Sequence, residues 1–385
     1  MKVEHNISRL NYLLNLFKIE VDEFLVMISK GLKLPIRRED IFSDKIKVSH
    51  LKRIDKVFEK GLHYYLDPKS PQDSKEASIF FRKQDFNADL NIEAKRVVNH
   101  FEEFKISLSA IAKLAELEIR RTIPVYSTKH NPKKVANEIR KILYPEFNSK
   151  LRDFLKSLIH KFAAHNILVF EFIEYWNQKE KANIDGFFLS PNVIVVKRQQ
   201  TSFRREIFTL IHELAHFLLN EEEIEKLDIE HLARKDLTAT ERWCNDFAFY
   251  FLVGEYSNEI DSLENATAQN DYHHGLIKTI SEKTHLSQIA IFTRLLIQNQ
   301  ISPYNYSKIK SDFDDKFRES QEEFKRIKEL EKQQGIKRGG AAPQPIKSPL
   351  LINTIQSAFY EGVLNEYEVC KRLNIKPDKL DKYLQ

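Results

Sequence analysis

The sequence predicts a mostly α-helical α+β protein, and three observations carry that expectation. Nine glycines and twelve prolines among 385 residues are roughly half the usual share of those two residues, too few turn formers for a strand-rich sandwich or barrel. Apolar residues recur at spacings of three and four along most of the chain, which is the period of one helix face. Short β-branched and aromatic runs are confined to one stretch in the middle, so the sheet is small.

Taken in order, Ile7–Lys30 carries Leu10, Leu13, Leu14, Phe17, Val21, Phe24, Leu25 and Ile28 on one face and reads as a helix stopped by Gly31 and Pro35. His50–Leu66 is a second helix, ended at Asp67-Pro68, and the segment after it is loop. Further helices are expected at 91–104 and 107–119, and one from Pro132 to Leu143 leads to Pro145, where the first domain boundary is placed. A helix at 150–165 then feeds two strands, ILVFEFIEYW at 167–176 and NVIVVK at 192–197, with a turn around IDGFF between them. Helices follow at about 202–220, at 238–253 ending at Gly254, as two short pieces within 274–300, and as a charged, solvated helix at 312–334.

Residues 333–350 hold three of the nine glycines and three of the twelve prolines and read as a linker or extended arm, a candidate movable element spanning about 60 Å. The expected organisation is a helical N-terminal region (1–145), a central α+β domain (146–300), a charged helix (301–332), the linker, and a small helical C-terminal module (351–385).

Charge and cysteine content narrow the function classes. The net charge is +5, but residues 1–145 carry 28 Lys/Arg against 20 Asp/Glu. A nucleic-acid surface, if the chain has one, is therefore expected in the N-terminal region. Two cysteines, Cys244 and Cys370, make no disulfide framework, and Cys244 reads as a small buried residue. The start MKVEHNISRLNYLL lacks a basic leader feeding an apolar stretch, and the longest apolar run, Phe247–Val253, is far short of the ~20 residues that span a membrane. No membrane partner and a reduced, cytoplasmic compartment are expected.

The 202–220 helix contains His212-Glu213-Leu214-Ala215-His216. Residues four apart share a helix face, so both imidazoles can reach one ion while Glu213, one step round, can touch water beside it. A catalytic zinc takes three protein ligands and keeps one open position. The residues after His216, FLLNEE, offer no third histidine. Glu241 opens the next strongly apolar helix and is the better third ligand, with Asn245 four residues on, able to accept the second N–H of a ligand histidine. His231, in the charged connection, is the rival ligand.

Phe208-Thr-Leu-Ile-His-Glu-Leu-Ala-His-Phe-Leu-Leu, followed by Glu241-x-x-x-Asn245-x-Phe247-Ala248, resembles the ImmA/IrrE family of zinc metallopeptidases. The upstream I-D-G-F-F, N-V-I-V-V and R-R-E-I-F-T-L resemble it too. The resemblance covers about 150–255. It implies a zincin-like metallopeptidase domain with a small β-sheet, zinc on His212, His216 and Glu241, and Glu213 as general base. It also implies a protein substrate, a helix-turn-helix repressor, whose cleavage switches on stress, phage-defence or mobile-element genes.

The chain departs from that pattern at Ala215, Trp243-Cys244 and Gly254; none of these is a ligand or the base, and Trp243 is placed to narrow the site. Residues 20–42 with 49–58 are similar to the Xre-like helix-turn-helix of longer members, which implies DNA as a partner of the N-terminal region. The tail at 359–380 resembles a small helical module found at the end of such proteins. Two other readings stand beside the peptidase: a DNA-binding regulator whose peptidase-like domain senses or docks a partner, and a toxin- or antitoxin-like interaction protein without chemistry.

Overall fold

The computed structural model describes residues 1–71, 78–83, 89–174, 180–198, 202–225, 237–265, 273–335 and 344–384. The protein is a mostly helical α+β chain, and it divides into two compact units: Met1–Ser109 with Trp176–Ile184, and Ala110–Tyr175 with Asp185–Gln385.

The first unit holds β1 (Lys2–Glu4), α1 (Ile7–Leu16), α2 (Val21–Ser29), β2 (Lys45–Lys47), α3 (Val48–Phe58), α4 (Leu62–Leu66), α5 (Ile79–Arg82) and most of α6 (Ile92–Leu114). The helix expected over 7–30 is two helices. Lys18 takes a positive φ of 49°, and the Ile19 N–H turns back to the Leu14 carbonyl at 3.0 Å. The apolar rhythm runs across this break because Leu13, Phe17, Phe24 and Ile28 all enter one core, where the Phe17 and Phe24 rings each lie within 5.4 Å of Phe58. The helix expected over 50–66 is also split, at Glu59 and Gly61, both with positive φ. The two helices expected between 91 and 119 are the single α6, since no breaker interrupts Ile92–Leu114.

A helix-turn-helix joins its helices by three or four residues. Here Lys30–Lys47 stands between α2 and α3, and it contains a 3-10 turn at Arg38–Asp40 and the strand β2. β2 pairs antiparallel with β1, and a helix-turn-helix over these residues is not shown.

The second unit holds α7 (Pro132–Leu143), α8 (Leu151–Ala164), β3 (Leu168–Ile173), β4 (Gly186–Leu189), β5 (Val193–Arg198), α9 (Phe203–Leu219), β6 (Ile224–Glu225), α10 (Ala239–Val253), α11 (Ser257–Asp261), α12 (His274–Thr284), α13 (Gln288–Ile297), α14 (Pro303–Gln333), α15 (Pro349–Tyr360), α16 (Glu366–Leu373) and α17 (Asp381–Leu384). Its sheet has the order β3-β5-β4-β6; β3 and β5 run parallel and β4 is antiparallel to both neighbours.

The turn expected at IDGFF is therefore a strand. Gly186, Phe187, Phe188 and Leu189 are all buried, so the run is apolar on both faces and shows no alternation from which a strand is read. Pro145, taken above as the first boundary, lies inside the second unit, and α7 packs there against α10 through Val135, Ala136, Ile139 and Leu143. Gly254 ends α10 with a φ of 57°, and a Cβ there would meet the Arg140 guanidinium at 2.7 Å. That guanidinium donates to the Phe251 carbonyl at the helix end, so the glycine makes room for the cap. Among the described residues no helix is long and apolar enough to cross a membrane.

Candidate metal centre

The centre is built on α9, which is covered on all sides. It packs on β4 and β5, on α8 and on α10, and every residue from Thr209 to Leu219 is buried. The Ser202 hydroxyl accepts the Arg205 N–H at its start. At its end Asn220, in the left-handed conformation, closes the helix onto the His216 and Phe217 carbonyls. Arg121 adds a hydrogen bond to the Phe217 carbonyl at 2.7 Å and lies over the Phe217 ring. The middle of the helix, where His212, Glu213 and His216 stand, is therefore fixed at both ends.

α10 starts beside it. The Thr238 hydroxyl accepts the Glu241 N–H at 3.2 Å, which sets Glu241 in the first helical turn, where the helix dipole favours a carboxylate. Trp243 donates to the His130 carbonyl at 2.7 Å and stacks on Phe247, tying the same turn to the segment before α7.

These two helices bring His212, His216 and Glu241 together. The two Nε2 atoms are 3.2 Å apart. His212 Nε2 lies 3.4 Å from Glu241 Oε2 and His216 Nε2 lies 3.3 Å from Glu241 Oε1. All three residues are buried. A tetrahedral zinc about 2.0–2.2 Å from nitrogen and oxygen ligands places those atoms about 3.3–3.5 Å apart; each histidine nitrogen lies at about that spacing from a different Glu241 oxygen, so the donor set fits zinc in its chemistry, with one ligand atom per residue gathered within 4.8 Å. The buried carboxylate among imidazole nitrogens is a net acceptor site that a cation completes.

Glu213 is 1 % exposed. Its side chain lies against Gly186 of β4, where a Cβ would come within 3.0 Å of Glu213 Cγ and Oε1 and 2.8 Å of Thr209 Cγ2. Asp185, just before, pairs with Arg205 at 2.7 Å and locks β4 to the first turns of α9. Asn245 is half-buried, and its Oδ1 accepts no hydrogen bond among the described residues, so the contact expected of it with a ligand histidine is not made. His231 lies outside the described residues. Two neighbours of the centre were not expected. Gly186 carried one signal, a glycine inside an apolar run, which marks close approach of another group. Cys244, read as core, lies beside His216; its place three residues after Glu241 on one helix was the signal.

Residues 163–291 match the family model described as Peptidase_M78, the IrrE N-terminal-like domain. No curated protein and no solved structure matches the chain. The matched interval runs from the end of α8 into α13 and contains His212, Glu213, His216, Glu241 and Gly186. The likeness to the ImmA/IrrE metallopeptidases read from the motifs thus has an independent counterpart in the segment that builds the centre.

Proposed function

We propose that the protein is a zinc-dependent endopeptidase in which His212, His216 and Glu241 hold the metal and Glu213 is the general base. The observation that carries this reading is the buried triad of ligand atoms 3.2–3.4 Å apart, with a further carboxylate on the residue after His212. A structural metal site has no use for that second carboxylate.

Zinc, when bound, supplies Lewis acidity towards the scissile carbonyl and makes water more acidic. Glu213 takes the proton from the attacking water on a carboxylate oxygen and later delivers it to the leaving amide nitrogen. Its position against Gly186 and Thr209 restricts its rotamers, so the base waits in one place. The substrate is a protein, and the family resemblance points to a helix-turn-helix repressor. The excess of basic residues before Pro145 supports nucleic acid as a second partner; retention of the full-length chain on duplex DNA that weakens with salt, by a slope near −0.9 per phosphate contacted, is its signature.

Elemental analysis of protein purified without added metal tests the ligands: one zinc per chain is expected, lost in His212→Ala. Glu213→Gln is expected to keep zinc and fold while cleavage of the repressor falls by roughly 10²–10⁴-fold. Equal metal in both proteins, or undiminished cleavage by Glu213→Gln, overturns the assignment.

A further inference from the structure

α14 is 31 residues long, about 46 Å. Among the described residues, the buried side chains of this helix lie in its first turns. Tyr306 and Ile309 are buried, the Tyr306 hydroxyl is hydrogen-bonded to Thr293 at 2.8 Å, and the Phe313 ring stands 6.3 Å from Phe292. Beyond Phe313 the helix leaves the core, and Phe317 is 59 % exposed, Phe324 58 % and Ile327 41 %.

These three side chains are not scattered. At about 100° per residue, Tyr306, Ile309, Phe313, Phe317, Phe324 and Ile327 fall within an arc of about 80°. The face that packs into the core over the first turns therefore continues as exposed apolar side chains as far as Ile327. A solvated helix would need no such stripe, since in proteins an apolar helix face is one that packs against something.

The charges along the same helix choose what covers it. Ser311–Glu323 has six acidic and two basic residues, whereas Phe324–Gln333 has four basic and two acidic. Two copies laid parallel set acid on acid; laid antiparallel, they set each acidic half on a basic half. In the antiparallel register Phe317 stands opposite Ile327 and the small Ser320 opposite the large Phe324, while Asp314 flanks this seam beside Lys328, so size alternates across the seam and an unlike charge pair borders it.

We propose that the exposed part of α14 pairs antiparallel with α14 of a second copy of this chain, forming a two-fold dimer. The same patch serves both copies, so the assembly closes at two and does not grow into a filament.

Sedimentation of the full-length protein tests this. A dimer is expected, and Phe317→Asp combined with Phe324→Asp is expected to give a monomer with unchanged helix content by circular dichroism. Arg326→Gln, on the opposite side of the helix, is expected to stay dimeric. Cross-linking reads the direction: Asp314→Cys and Lys328→Cys mixed together are expected to form a disulfide under mild oxidation, and neither alone, the native Cys244 and Cys370 being buried. A wild-type monomer at tens of micromolar, including one that binds some other protein through this face, overturns the proposal. So does a dimer that survives the double substitution, or a disulfide formed by either single variant alone.

Discussion

Glu213 owes its place to an atom that is missing from Gly186. A methyl group there would sit 3.0 Å from the Glu213 side chain and 2.8 Å from Thr209, and both belong to a helix with no room to retreat. Gly186→Ala is therefore expected to displace the carboxylate while leaving His212, His216 and Glu241 intact. For a carboxylate acting as the base proposed above, displacement by ~1 Å costs on the order of 10²-fold in rate, and overpacking costs roughly 1–3 kcal/mol in stability. Cleavage rate, zinc content and urea midpoint measured on one preparation separate the two effects; an unchanged rate at full zinc content would show that Glu213 is not held by this contact. The histidine pair was legible in the sequence because its geometry is local, one helical turn. Glu241 was legible because it opens the next strongly apolar helix. Gly186 was legible only as a glycine inside an apolar run, since the contact between β4 and α9 that makes it necessary is not local. The proximity of Cys244 to His216 was as faint: its one signal was its place three residues after Glu241 on the same helix.

At the scale of elements, β3, β5 and α9 are joined by a buried charge cluster. Arg198 Nη1 lies 2.9 Å from Glu171 and 3.5 Å from Glu206, and all three side chains are at most 4 % exposed. One guanidinium cannot neutralise two carboxylates. Burial first, and then the adjoining Glu171, push the Glu206 pKa far above the usual carboxylate range, so the folded protein keeps a proton that the unfolded chain releases. Because the folded state binds the extra proton, this stabilising contribution is complete below the ordinary carboxylate pKa of about 4.3 and is lost progressively as pH rises through neutrality. Glu206→Gln keeps the shape and a donor towards Glu171 but cannot ionise. Its stability relative to the wild type is expected to rise steadily from mildly acidic to alkaline pH, read from urea midpoints; parallel profiles would mean that Glu206 is already ionised in the fold. Element boundaries were less legible than element types. The breaks at Lys18 and Glu59 interrupt helices whose apolar faces continue in phase on either side, and β4 hides because a strand buried on both faces has no period.

At the scale of the whole molecule, the C-terminal residues belong to the second unit more fully than a linker followed by a separate module would. α14 runs on to Gln333, and 336–343 lies outside the described residues. The arm is seated again by Ile346, whose N–H donates to the Glu171 carboxylate, and by the buried Ser348. α15 then packs against both α8 and α16, burying Leu351, Ile355 and Ala358. Neither this docking nor the inclusion of α7 in the same unit was legible, because an amphipathic helix shows which face it buries and not what it buries it against. A fully buried leucine or isoleucine contributes roughly 1.5–3 kcal/mol, so the docked segment has a hold on the unit that does not depend on the chain connection. Placing a specific protease site at Gly339-Gly340 and cutting there is expected to leave the C-terminal fragment, Gly340 onward, bound through gel filtration, at low and high salt alike, since the contact is mainly apolar. It should separate only in denaturant, together with loss of the cooperative melting of the larger fragment. A fragment that elutes freely from a folded partner would show that connectivity alone keeps the segment in place, and that the arm is free to move as the sequence first suggested.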